Sequence, residues 1–346
     1  MKALRYYGAR DVRYESMDDP APQSTDEAVV KVEGCSICGS DLHIYHGHGF
    51  SDDIGFCVGH EAVGEVVEIG SGVRRLKVGD KVMLPAAVGC GRCRSCLSGV
   101  VNLCEYGLGG CYGLSASLQG SQAEAVRVPA ADMNAVIVPD GVSMEQALMM
   151  TDALATAWYG VRNADVRPGS GVAVIGLGPI GLIAVDSAMV MGAHVVYAID
   201  PVAERRALAE AAGAVALHPD EALERIRADT GGRKLDCVVE VVGSDATVDF
   251  ALRLVRPRGT VSVIGVQQSR RFPFPLERAF TAGLTFRAGT CSVPEELPAL
   301  FPLVRSGRLK PERYISHRLP LSKGADAYRL FEQREAGALK MVLLPD

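Results

Sequence analysis

Residues 171–185 read GVAVIGLGPIGLIAV, and this run constrains the fold more than any other stretch of the chain. It could be mistaken for a membrane span. The run stops at Asp186, short of the roughly 18–20 apolar residues needed to cross a bilayer. Its four glycines and one proline have a better explanation in a strand that turns into a helix. Gly176-Leu177-Gly178-Pro179-Ile180-Gly181 fits G-x-G-x-x-G, directly after the apolar segment 172–175 and at the head of a helix-length stretch, 179–191. In that setting the first glycine permits a tight turn. The second lets the main chain approach a pyrophosphate, and the third lets helix and strand pack closely. The helix N-terminus then faces the phosphates. Asp200 closes the next apolar run, nineteen residues beyond Gly181. A carboxylate there binds an adenosine ribose and repels a 2′-phosphate, so NAD is expected over NADP. Arg205 and Arg206 follow closely and offer guanidinium groups to the alternative cofactor.

The strand–helix alternation continues on both sides of this motif. Candidate strands lie at 172–175, 194–199, 214–217, 237–241, 260–265 and 284–287, with helices at 179–191 and 203–212. Buried runs alternating with helices predict a doubly wound parallel sheet. The first 150 residues differ: short β-branched runs at 28–32, 61–69, 81–84 and 124–128 are divided by turn signals such as Gly79-Asp80 and Pro139-Asp140-Gly141. They predict a β-rich barrel or sandwich-like module. The last fifty-odd residues return to mixed character, ending in a strand at 340–344. Neither an internal repeat nor a low-complexity tract is visible.

Composition narrows the function classes. A chain of 346 residues has room for two domains. Its 48% hydrophobic and 22% charged residues exclude a disordered chain. With 36 basic and 41 acidic residues and no block of like charge, nucleic-acid binding through bulk charge is not expected. The start, MKALRYYGARDVRYESMDD, lacks an apolar core, so neither a secretory signal nor a membrane partner is expected and a cytoplasmic location is. Ten cysteines in such a chain read as metal ligands or packed thiols rather than disulfides.

Four of them, Cys90, Cys93, Cys96 and Cys104, follow C-x2-C-x2-C-x7-C, with Gly89, Gly91 and Gly99 supplying backbone freedom. Four thiolates close a tetrahedron around Zn²⁺ and leave no open position, the mark of a structural site. An iron–sulfur cluster uses similar ligands. Three further pieces carry metal-ligand types: Cys38-Gly39-Ser40-Asp41-Leu42-His43, Gly59-His60-Glu61 and Thr151-Asp152. Singly, each has an ordinary structural explanation: a packed thiol, a core histidine, a helix N-cap.

Taken in order, these motifs make the chain resemble the zinc-dependent medium-chain alcohol dehydrogenase family. The resemblance rests on Cys38–His43, on Gly59-His60-Glu61-Ala62-Val63-Gly64 and its continuation to Val67, on the four-cysteine loop, on Asp152, and on Gly176–Gly181 with Asp200. It implies a GroES-like catalytic domain (1–153 and 290–346) with both zinc sites, interrupted by a Rossmann NAD-binding domain (154–289). Cys38, His60 and Asp152 would be ligands of a catalytic zinc, and Glu61 a nearby or exchangeable one. Many relatives carry cysteine in place of Asp152; an oxygen ligand leaves a harder, more Lewis-acidic zinc. Ser40 would take the alcohol proton and pass it through the cofactor ribose to His43. Thr156 would lie beside the nicotinamide. Val242, Gly243, Ile264, Gly265 and Val266 would line the cofactor groove at strand ends, and Lys340 would reach the pyrophosphate. The reaction implied is reversible hydride transfer between an alcohol and NAD, giving an aldehyde or ketone. The assembly implied is a homo-oligomer, a tetramer before a dimer. Polyol, threonine and formaldehyde-type dehydrogenases share the motifs; Gly120-Ser121-Gln122-Ala123-Glu124 resembles a stretch of the last. A non-catalytic zinc- and nucleotide-binding relative is the reading from another class, and the full set of ligand residues speaks against it.

Overall fold

The computed structural model describes residues 1–106, 110–267 and 271–346. It divides into two units. One comprises Met1–Ala155 with Ser292–Asp346, the other Thr156–Cys291.

In the second unit, the apolar run becomes the strand Gly171–Ile175 and the helix Pro179–Val190. All five strand residues are buried. The helix buries Gly181, Leu182, Ile183, Ala184, Val185, Ser187 and Ala188, which explains why its sequence is apolar on nearly every face. Strands Val215–Leu217, Val195–Ile199, Gly171–Ile175, Leu235–Glu240, Val255–Val263 and Thr285–Ala288 form one sheet in that spatial order, every pair parallel. In order of occurrence this is 3-2-1-4-5-6, the Rossmann arrangement, with the first strand central. Ile175, Tyr197, Val238, Leu252 and Val261 belong to its core.

The first unit is built on a seven-stranded sheet. Ala28–Ile37 sits between Ala62–Ile69 and Lys340–Leu344 and is antiparallel to both, while Ala125–Val128 also pairs with it. The final strand lies on the first half of the chain through Met341 opposite Ile37 and Leu343 opposite Cys35. A smaller sheet joins Asp11–Ser16, Lys2–Gly8 and Phe56–Cys57.

Several elements carry little signal in the sequence. The N-terminal hairpin Lys2–Gly8/Asp11–Ser16 is rich in Arg and Tyr, without a clean apolar face, and turns through Arg10 in the left-handed region (φ 59°). The helix Val293–Arg305 contains Pro298 and Pro302, residues that normally end a helix, yet it buries Val293, Leu297, Leu300 and Val304 along one side. The Pro-punctuated return segment is therefore more helical than its composition suggests.

Candidate functional site

Cys38 and His60 are brought together by strand register. Cys38 directly follows Ala28–Ile37 and His60 nearly precedes Ala62–Ile69; Cys35 and Ala62 are paired across the two strands. Asp152 comes from the junction between the helices Met144–Met150 and Ala153–Asn163. The first of these begins with a capping box of Ser143 and Gln146, and Thr151 is tied down by its carbonyl accepting from Ala86 N–H at 3.0 Å. The result is a cluster in which one donor atom from each of Cys38, His60 and Asp152 lies within 4.8 Å of the others. Cys38 Sγ is 3.3 Å and His60 Nε2 3.5 Å from Asp152 Oδ2. Cys38 and His60 are buried, while Asp152 keeps partial exposure.

The electrostatics fit a cation. Burial pushes the Cys38 thiol up, and the carboxylates of Asp152 and Glu61 add to that rise. Burial opposes protonation of His60, but Asp41, Cys111 and Asp152 outweigh it and hold its pKa well above the ordinary value. Such a site gathers negative charge around groups that a metal would deprotonate.

Asp41 is the residue that the motif reading passed over. It is buried, its Oδ2 accepts from Cys38 N–H at 2.9 Å, and its Oδ1 lies 3.1 Å from His60 Nδ1. A carboxylate on Nδ1 leaves Nε2 as the free lone pair, the arrangement seen behind many metal-bound histidines. Its signal in the sequence was only its place in Cys38–His43. Cys111 is a second such case: a half-buried residue whose thiol pKa is pushed to about 12 by burial, close enough to act on His60.

Glu61 acts on Cys38 from nearby but is not one of the three converging donors; its Oε2 accepts from Ser36 Oγ at 2.6 Å and is ion-paired with Lys340. The Lys340 ammonium is buried on Glu61 at 1% exposure. Strand pairing between Lys340–Leu344 and Ala28–Ile37 carries the lysine inward, and a buried ammonium must be paired with a counter-charge.

Ser40 Oγ lies 3.3 Å from His60 Nε2. His43 sits within the helix Asp41–Tyr45, its main-chain N–H donating to the Ser40 carbonyl at 3.1 Å. Burial and then the neighbouring His46 and His48 lower the His43 pKa.

The four cysteines of the loop also converge, with their sulfurs within 4.8 Å of one another. Cys93 Sγ accepts from Cys96 N–H at 3.4 Å, and Cys90 Sγ from Arg92 N–H at 3.5 Å. The Cys96 N–H pulls the Cys93 thiol down, while burial raises Cys96 to about 12.

In the second unit, Gly176 has φ +91°, and a Cβ on Gly181 would come within 1.8 Å of the Gly176 carbonyl. Gly178 has open space and caps the helix starting at Pro179 and Ile180. Asp200 is buried; its Oδ2 accepts from Leu177 N–H at 2.7 Å and its Oδ1 from Val202 N–H at 2.8 Å. Arg205 Nη1 is 4.0 Å from Asp200, while Arg206 donates to the carbonyls of Asp200 and Pro201. The turn at Val242 and Gly243 is held by Glu240, a buried carboxylate missed in the sequence, whose Oε1 accepts from both N–H groups at 2.8 and 2.9 Å. Gly243 and Gly265 pack backbone to backbone, and the Val266 carbonyl lies over Gly243. Ile264 differs: its side chain packs on Gly160 of the helix Ala153–Asn163. Thr156 lies half-buried in the same helix.

Residues 24–140 match the model of the alcohol dehydrogenase GroES-like domain, and residues 179–306 that of the zinc-binding dehydrogenases. A protein of Mycobacterium tuberculosis named a probable zinc-binding alcohol dehydrogenase is 42% identical over all of this chain and 89% of its own length. The chain belongs to the zinc-type alcohol dehydrogenases of the medium-chain dehydrogenase/reductase family. Among solved structures of this family, the alcohol dehydrogenase TADH of Thermus sp. ATN1 superposes with a TM-score of 0.94 at 40% identity, each chain covered completely. A protein of Sinorhizobium meliloti described as a zinc-binding dehydrogenase and bound to NADP gives a TM-score of 0.86 at 31% identity, covering 99% of both chains. GroES-like and Rossmann folds are thus shared with the medium-chain dehydrogenases, as the motifs implied.

Proposed function

We propose that this medium-chain dehydrogenase oxidises a primary or secondary alcohol with NAD, and reduces the corresponding aldehyde or ketone, at a zinc held by Cys38, His60 and Asp152. The convergence of those three donor types within 4.8 Å carries the reading. Thiolate, imidazole and carboxylate are all zinc donors, and three protein ligands leave one position open to substrate. The four-cysteine loop, with no position left, holds a second, structural zinc.

Bound there, the catalytic zinc supplies Lewis-acid stabilisation of an alcohol's conjugate base, and NAD supplies the hydride acceptor. Asp41 orients the His60 ring and fixes its tautomer. Ser40, beside the cluster, receives the proton that the alcohol loses. His43 stays neutral near physiological pH because burial lowers its pKa, and so accepts that proton on its way to solvent. Asp200, ending the second strand of the sheet, takes the adenosine ribose and sets the preference for NAD. Gly176–Gly181 receive the pyrophosphate at the head of the helix Pro179–Val190.

The protein acts in the cytoplasm as a homotetramer. No helix among the described residues is long and apolar enough to cross a membrane. Thr285–Ala288 ends the six-stranded sheet, and the preceding helix Leu276–Ala282 presents Leu276 and Phe280 to solvent, features suited to subunit contact.

The test is metal analysis joined to NADH absorbance with a panel of primary and secondary alcohols, each with NAD and with NADP. About two zincs per chain are expected, with NAD-dependent turnover that Cys38→Ala and His60→Ala abolish while one zinc remains. Turnover that survives both substitutions refutes the assignment.

A further inference from the structure

A line of buried polar groups runs from His60 away from the ligand cluster. Asp41 Oδ1 faces His60 Nδ1 at 3.1 Å. Its Oδ2 accepts from the Cys38 N–H at 2.9 Å and from Gln122 Nε2 at 3.4 Å. Gln122 Nε2 also donates to the Ser36 carbonyl at 3.0 Å, and Gln122 Oε1 accepts from the Tyr328 hydroxyl at 2.9 Å. Asp41, Gln122 and Tyr328 are 1%, 0% and 1% exposed, so water does not substitute for any of these partners.

A side-chain amide can sit two ways round. As placed, both N–H bonds of Gln122 meet acceptors and its oxygen meets a donor. Turned over, the oxygen would face the Ser36 carbonyl and the Asp41 carboxylate, acceptor against acceptor in a dry interior. The Tyr328 hydroxyl donates to the oxygen and so holds the amide in the first arrangement. Packing holds it too. Gly59, the residue before His60, has φ +91°, and a Cβ there would come within 2.3 Å of Gln122 Cγ. The glutamine therefore occupies space that a side chain at position 59 would deny it.

We propose that Gln122 and Tyr328 are positioning residues for the open metal site. They hold the Asp41 carboxylate, which in turn holds His60 with Nε2 presented to the metal. Tyr328 lies on the helix Gly324–Gln333, so the closing segment of the chain sets metal affinity at a site whose ligands all precede residue 156. The proposal rests on the reading of Cys38, His60 and Asp152 as a ligand set.

The test uses the full-length zinc protein with Tyr328→Phe, Gln122→Met, the double variant, and Tyr45→Phe as control. Tyr45 stacks on Tyr328 with ring centroids 5.2 Å apart but lies outside the hydrogen-bonded line. Zinc affinity at the open site is measured by competition with a chelator, the four-cysteine zinc serving as internal reference. The visible spectrum of the cobalt-substituted open site reports ligand geometry. Each single variant is expected to weaken the open site by about 10–100-fold and to shift the cobalt bands. The double variant should be no weaker than Gln122→Met alone, because one line is being cut twice. The four-cysteine zinc and Tyr45→Phe should match the parent. Unchanged open-site affinity in both single variants overturns the proposal, as do additive losses in the double variant or equal weakening of both zincs. A parent protein that holds only the four-cysteine zinc and turns over no alcohol instead refutes the catalytic reading itself.

Discussion

Lys340 and His43 illustrate how burial rewrites a titratable side chain. At 1% exposure the Lys340 ammonium is ion-paired with the Glu61 carboxylate. Removing one member of such a pair leaves a desolvated charge. Lys340→Met should therefore cost about 3–5 kcal/mol of stability in denaturant unfolding, and Lys340→Met with Glu61→Gln should recover a large part of it. His43 moves in the opposite sense, its pKa lowered by burial and by His46 and His48. A proton acceptor works in its neutral form. Alcohol oxidation should therefore fall with decreasing pH through a limb below the ordinary histidine value, and His43→Gln should remove that limb from the pH profile of kcat/KM. The pairing of Lys340 with Glu61 was not legible in residue type, and the proton-acceptor role of His43 came only with the family resemblance. Nothing local to Lys340 or His43 records what the fold packs around them.

At the scale of elements, the glycine motif separates two kinds of constraint. Gly181 is a packing position, where a Cβ would meet the Gly176 carbonyl at 1.8 Å, whereas Gly178 opens onto free space. Gly181→Ala should lower the melting temperature of the protein along with cofactor affinity. Gly178→Ala should weaken NAD binding, read by fluorescence titration, with little change in melting temperature, because its methyl group would intrude only on the space proposed for the cofactor. The central parallel strands Gly171–Ile175, Val195–Ile199 and Leu235–Glu240 were legible because each is a nearly continuous buried run, and the segment 81–84 is the strand Lys81–Leu84 because its turn signals bracket it. The helix Val293–Arg305 was not, since two prolines mask a face that tertiary packing buries. The N-terminal hairpin was not either, because its strands alternate charge and aromatic rings rather than apolar and polar residues.

At the scale of the whole molecule, the proposed tetramer makes its own prediction. Phe280 and Leu276 are 85% and 71% exposed on one short helix beside the terminal strand of the Rossmann sheet. Phe280→Glu should lower the assembly mass in analytical ultracentrifugation and leave the zinc content of each chain unchanged; a tetramer that survives it places the subunit contact elsewhere. What the sequence by itself determined is whatever depends on neighbours a few positions away: the strand–glycine–helix motif, the alternation of a doubly wound sheet, and the convergence of cysteines between 90 and 104. In each, spacing and residue type already define the local geometry. Tertiary structure decided the rest. It set Cys38 and Asp152, 114 positions apart, at 3.3 Å, left Glu61 outside that cluster, and drew Asp41, Gln122 and Tyr328 into one buried line. Those contacts depend on strand register and on how the last segment closes onto the first. A shift of one residue in either would exchange buried and exposed faces without altering any local pattern.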